Sequence, residues 1–158
     1  MMELLAALED SAFAVWLREA PTVWAYPTVL TLHTAGLAVL VGANAAFDLR
    51  LLGVGREIAL AQMERFFPAM WIGFWLNATT GVMLFAVDAT TKGIATVFMF
   101  KLTFIVTGVI LIVLLRRAVY GQGRDRSIVT PAAKTFAVLS LLTWTAAIVA
   151  GRLQAYLS

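Results

Sequence analysis

Apolar and polar positions in this chain alternate on the scale of whole membrane crossings rather than of single helix turns. Crossing roughly 30 Å of hydrocarbon at about 1.5 Å per helical residue takes about 20 apolar residues. Four runs reach that length: 27–47 (beginning as early as Thr22), 68–87, 94–115 and 135–153, the last blurred by Arg152. Pro27 and Pro68 stand near span starts, where a missing N–H costs little. The connections 48–67, 88–93 and 116–134 collect most of the charges and many turn formers, and none has room for a soluble domain. The pattern predicts one domain over 1–158, an all-α membrane protein built as a four-helix transmembrane bundle in a lipid bilayer.

Residues 1–20 mix Leu4, Leu5, Leu8, Val15 and Trp16 with Glu3, Glu9, Asp10, Arg18 and Glu19. Such a stretch is too charged to cross a membrane and too apolar to leave it. It is expected as a short N-terminal helix lying in the interface, its polar face interrupted by Phe13 and Leu17. The first span is too long for the core of a cleaved signal peptide, and acidic rather than basic residues precede it.

Composition narrows the class. Apolar residues make up 61% and charged residues 13% of the 158 positions, against roughly 45–50% and about 25% in soluble domains. A chain of this size buries too small a share of its surface to hide that excess from water. The absence of cysteine excludes a disulfide scaffold, thiolate catalysis, Cys-ligated zinc and iron–sulfur clusters. The net charge of +3 is an address rather than a nucleic-acid patch. Arg50, Arg56, Arg65, Arg116, Arg117, Arg124, Arg126 and Lys134 flank the first and third connections, against Arg18, Lys92 and Arg152 on the other side. The positive-inside rule then puts both termini outside, and loops 48–67 and 116–134 in the cytoplasm of a bacterium with this chain in its inner membrane.

Ionisable groups inside a span are functional candidates by default. Two are read there, His33 and Lys101, and no acidic residue. His33 lies six residues past Pro27 and Lys101 seven past Ile94, each about 10 Å below the outer boundary. Asn77, Thr79, Thr80 and Met83 fall in the outer half of the second span, and Thr143, Trp144 and Thr145 in that of the fourth. Leu37, Leu40 and Asn44 continue the face of His33, whereas Met99 and Lys101 point to different sides of their helix. Plainer readings stand beside these: a snorkelling Lys101, a His33 bonded to a neighbouring helix, Asn77 and the threonines as interhelical glue. Met83 and Met99 also read as packing, and Trp16, Trp24, Tyr26, Trp71, Tyr120 and Tyr156 as interfacial anchors. Asp48 and Arg50 read as a positive-inside helix end before the stop at Gly53.

The strings Leu32-His33-Thr34-Ala35-Gly36-Leu37, Val41-Gly42 and Asp48-Leu49-Arg50-Leu51-Leu52-Gly53 resemble the signature of an uncharacterised bacterial four-helix membrane family. Thr80-Gly81 and Phe100-Lys101-Leu102 extend the likeness over nearly the whole chain. More distantly the layout resembles the HemJ-type protoporphyrinogen oxidases, which bind haem b and pair a first-helix histidine and an Arg-Leu pair with a third-helix lysine. His33, Arg50-Leu51 and Lys101 fall in the corresponding places. The histidine-bearing first helix also resembles the copper-resistance D membrane proteins. These likenesses imply a four-helix scaffold for haem b near His33 and Lys101, or for copper.

In chemical terms His33 is the candidate metal ligand. Lys101, Asn77 and Met83 are candidate cofactor-binding residues, with Lys101 a second ligand or the cationic partner of a propionate. For copper, His33 with methionine thioethers forms the soft donor set that suits Cu(I). The function expected is haem-b binding for redox or electron transfer. Copper handling and a cofactor-free accessory subunit of a larger membrane complex are the alternatives. Whether the chain is an enzyme, and whether it forms a homo-oligomer, stay open.

Overall fold

The computed structural model describes residues 1–121 and 129–157. Arg124 and Arg126, counted above in the third connection, lie outside the described residues. Among the described residues eight helices follow one another: α1 (Met2–Glu9), α2 (Ala12–Glu19), α3 (Tyr26–Leu52), α4 (Leu60–Met63), α5 (Phe66–Ala86), α6 (Ala89–Ile94), α7 (Thr96–Tyr120) and α8 (Pro131–Leu157). Among the described residues there is no strand. Helices α3, α5, α7 and α8 are each long and apolar enough to cross a membrane, so the molecule is a four-helix membrane bundle. Side chains such as Ile72, Trp75, Val82 and Leu142 stay exposed on its outer surface, as a bilayer solvent requires.

The spans begin close to where the apolar pattern predicts, but three of them end later. Helix α3 continues past Phe47 to Leu52, α7 past Leu115 to Tyr120, and α8 past Leu153 to Leu157. The charges near these ends therefore ride on helices. Backbone hydrogen bonding continues through a charged turn as readily as through an apolar one. Helix α3 stops only at Gly53, whose φ of 106° is open to glycine. There the Val54 N–H bonds to the Leu49 carbonyl at 3.0 Å, the closing bond of a Schellman cap. Arg50 reaches over this turn, donating to the carbonyls of Ile58 at 2.6 Å and Arg56 at 3.1 Å.

The bundle consists of two antiparallel hairpins, α3 with α5 and α7 with α8, joined along α3 and α8. Lipid supplies little hydrophobic drive between helices, so close backbone approach and dispersion must hold them. In the first hairpin Gly36 faces Gly73. A Cβ at Gly36 would lie 2.7 Å from the Asn77 amide nitrogen, and one at Gly73 would lie 2.7 Å from that of Leu40. In the second hairpin the Trp144 indole lies directly on Gly108. The apolar core thickens toward the end bearing the first and third connections, around Phe47, Leu51, Met63, Phe67, Leu115 and Val119. Tyr120, expected as an interfacial anchor, joins this core. Its ring meets the Phe67 edge at 5.8 Å and its hydroxyl donates to the Leu60 carbonyl at 2.6 Å.

At the opposite end the N-terminal stretch forms two helices rather than one. Ser11 interrupts it by capping α2, its hydroxyl accepting from the Ala14 N–H. Ala14 and Leu17 are fully buried, Leu17 in a cluster with Ala25 and Val87. The apolar break in the polar face is thus a docking point. Glu9 ties this cap to α6, accepting from the Thr90 N–H at 2.8 Å and the Thr90 hydroxyl at 2.7 Å. Those two bonds, the backbone one foremost, hold the Glu9 carboxyl below its ordinary value, with Arg18 nearby adding to the effect.

Two outcomes follow from this packing. Gly36→Ala forces two backbones apart and is expected to destabilise the bundle by about 1–3 kcal/mol, outweighing alanine's better helix propensity. Gly42→Ala, where a Cβ meets open space, is expected to be neutral or stabilising; equal thermal unfolding of the two variants in detergent would contradict the glycine contact. The Glu9 anchor is full above the carboxylate's unfolded value of 4.5 and is lost as pH falls through its lowered folded value. Protection of the α1 amides, taken relative to their intrinsic exchange rate at each pH, should fall over that acid window in the native chain, and should already be low at neutral pH in Glu9→Gln.

Candidate functional site

The glycine contact between α3 and α5 sets His33 against Asn77 and Thr80. His33 Nδ1 lies 2.9 Å from the Asn77 carbonyl oxygen and 3.1 Å from Thr80 Oγ1. The hydroxyl hydrogen of Thr80 is taken by the Leu76 carbonyl at 2.6 Å, so Thr80 can only accept from the ring. With acceptors on both sides Nδ1 carries the proton, and the lone pair of the neutral imidazole sits on Nε2. The nearest polar atom to Nε2 among its recorded contacts is Asn77 Nδ2, at 3.4 Å. That amide makes its short bond elsewhere, to the His33 backbone carbonyl at 2.8 Å. Gly81 leaves room beside the ring, since a Cβ there would lie 3.2 Å from His33 Cε1.

Lys101 belongs to the other hairpin. Its stem runs along Gly151 of α8, where a Cβ would meet Lys101 Cε at 3.6 Å and Nζ at 3.9 Å. The side chain is partly buried. Among the described residues its ammonium has no carboxylate within 4.0 Å and no hydrogen-bond acceptor. The layer therefore holds one imidazole whose Nε2 has only the long contact to Asn77 Nδ2, and one cation without a counter-ion among the described residues. Met83 packs beside the cluster of Leu17, Ala25 and Val87 beneath the N-terminal cap. Met99 is exposed. Among the described residues no three of His, Cys, Asp and Glu gather as a metal site.

A second polar layer lies deeper toward the other end of α3. Asn44, Asp48 and Ser140 are almost wholly buried. Asn44 Nδ2 donates to Asp48 Oδ2 at 2.6 Å and to Ser140 Oγ at 2.7 Å. Among the described residues Asn44 Oδ1 and Asp48 Oδ1 have no donor, and Trp144 Nε1, also buried, has no acceptor. The expectation that no acidic residue lies inside a span is therefore corrected. Asp48 is an interior residue of α3, because the helix runs on past Phe47 and turns this carboxyl toward α8. The signal was the spacing of Asn44 and Asp48, four residues apart on the face that carries His33 and Leu40. Ser140, on another helix, offered none.

No protein-family model, curated protein or solved structure matches this chain. The chemistry of the site therefore rests on its own residues.

The inner layer makes a testable claim about coupling. Asn44→Leu takes a donor away from both the Asp48 carboxyl and the Ser140 hydroxyl and is expected to cost about 1–3 kcal/mol. Combining it with Asp48→Leu removes both ends of that bond, so the double variant should be more stable than the sum of the singles predicts. Strict additivity in thermal unfolding would show that the two side chains do not act as a unit.

Proposed function

We propose that the outer polar layer binds haem b for redox or electron transfer, with His33 as axial ligand through Nε2. The observation that carries this reading is the Asn77 carbonyl oxygen 2.9 Å from His33 Nδ1, an acceptor that favours the proton on that nitrogen. Metal-bound histidines are held in this way, their second ring nitrogen bonded to a carbonyl or carboxylate that sets tautomer and ring orientation. Asn77 grips both ring and backbone of His33, through its carbonyl at 2.9 Å and its amide at 2.8 Å. Thr80 accepts at the same nitrogen, and Gly81 keeps the ring's flank clear.

Lys101 supplies the complementary half of the donor set. An unpaired ammonium inside a span is costly, and an anionic group such as a propionate offsets that cost. One molecule bearing both a metal centre and carboxylates meets both needs, which neither a bare copper ion nor a neutral substrate does. When bound, the haem supplies a one-electron couple set by its axial ligands and its surroundings. The chain's own part is to hold the imidazole in one tautomer, place a cation beside it, and exclude water with the N-terminal cap. In a bacterial inner membrane with both termini outside, this layer lies in the outer half of the bilayer.

The test is an absorption spectrum of the detergent-purified chain from haem-replete cells, before and after dithionite. A Soret band that sharpens on reduction is expected, lost in His33→Ala and weakened in Lys101→Gln and Gly81→Ala, with helicity unchanged. A folded but colourless preparation, or an unaltered band in His33→Ala, overturns the assignment.

A further inference from the structure

The two hairpins that meet along α3 and α8 leave α5 and α7 with only sparse contact. Toward the end bearing the first and third connections this gap becomes a cleft of about 350 Å³, lined in part by Phe67, Trp71, Ile112, Val113, Arg116 and Arg117. The lining divides by depth. Counting from the middle of α7, Arg116 stands about 12 Å out, close to the edge of a hydrocarbon layer roughly 30 Å thick. Ile112, Val113 and, across the gap on α5, Trp71 lie on its apolar side.

The two guanidinium groups are free to bind something. Arg116 lies over the Phe67 ring, its Cζ 5.7 Å from the centroid. A cation on a ring face leaves its N–H edge available. Among the described residues neither Arg116 nor Arg117 has an ion pair or a hydrogen bond. Glu64, a carboxylate that also lines the cleft, has an interaction of its own. By contrast Arg50, at the same end, is committed to the carbonyls of Arg56 and Ile58. Two unpaired arginines above an apolar, aromatic-walled slot match one kind of partner. Its head is a phosphate, which guanidinium groups bind with paired N–H donors, and its body is hydrocarbon.

We propose that this cleft is a binding site for one anionic phospholipid, its phosphate held by Arg116 and Arg117 and an acyl chain lying between α5 and α7 against Trp71, Ile112 and Val113. Basic pockets between membrane helices take anionic head groups on this principle. The lipid fills the seam that the hairpins leave open. A zwitterionic lipid brings its own ammonium toward the arginines, and inorganic phosphate has nothing to place in the slot. The site is separate from the His33 layer and does not depend on the haem reading.

The experiment uses the full chain in neutral detergent, titrated with phosphatidylglycerol, phosphatidylcholine or inorganic phosphate, and followed by native mass spectrometry and thermal unfolding. One retained phosphatidylglycerol per chain and a raised unfolding temperature are expected, with little effect of the other two. Arg116→Gln with Arg117→Gln, which removes two charge-assisted bonds to the phosphate, should weaken phosphatidylglycerol binding by roughly 30-fold or more, while Arg56→Gln with Arg65→Gln, equal in charge but outside the cleft, should leave it nearly unchanged. Val113→Trp, which fills the slot and keeps both arginines, should also abolish retention. Equal effects of the two lipids, full stabilisation by phosphate alone, or equal losses in the two arginine pairs overturn the proposal. The last would mean attraction to a positive membrane face rather than a site.

Discussion

The contact on which the rest of the molecule depends is the backbone approach of α3 and α5 at Gly36 and Gly73. In lipid, helices gain little from burying apolar surface against one another, so the distance at which their backbones meet decides which side chains interact. At this crossing no side chain intervenes. That closeness lets the His33 ring reach a main-chain carbonyl on the neighbouring helix, and lets the Asn77 amide reach back to the His33 carbonyl. A methyl group at either glycine would open the gap and dissolve both bonds. Helix packing and imidazole chemistry are therefore one problem here.

From that crossing α3 carries two polar layers with an apolar plug between them. Leu40, nearly fully buried, separates His33 from Asn44 and Asp48. The outer layer has a histidine and a lysine and no acid, while the inner has an acid and no base. Each layer is held together by bonds between different helices. The outer one spans α3 and α5, with Lys101 brought to it along α8, and the inner one links α3 to α8 through Ser140. The N-terminal cap and the aromatic cluster of Phe47, Phe67 and Tyr120 close the two ends.

Much of the fold is legible in the sequence because a bilayer imposes a length. Four apolar runs of about 20 residues have few other solutions. The depth of His33 and Lys101 is legible for the same reason, since rise per residue converts position into height. Helix ends are less so. A charged residue after an apolar run looks like a boundary, yet α3 runs five residues beyond Phe47 and carries Asp48 into the interior. Leu17 illustrates the same difficulty from the other side: it looks like a flaw in an interfacial helix and is the residue that docks the cap.

By itself the sequence determined the solvent, the number of crossings, and the height at which the two basic side chains of the outer layer stand. These follow from one-dimensional quantities, apolar run length and rise per residue. Only the tertiary structure decided that His33 Nδ1 faces the Asn77 carbonyl, that the Lys101 stem runs along Gly151, that Met83 packs beside an apolar cluster, and that Asn44, Asp48 and Ser140 form one buried group. The reason is physical. Each of these depends on rotation and spacing between helices, and in lipid those are set by close contacts between residues far apart in the chain, which no local pattern encodes.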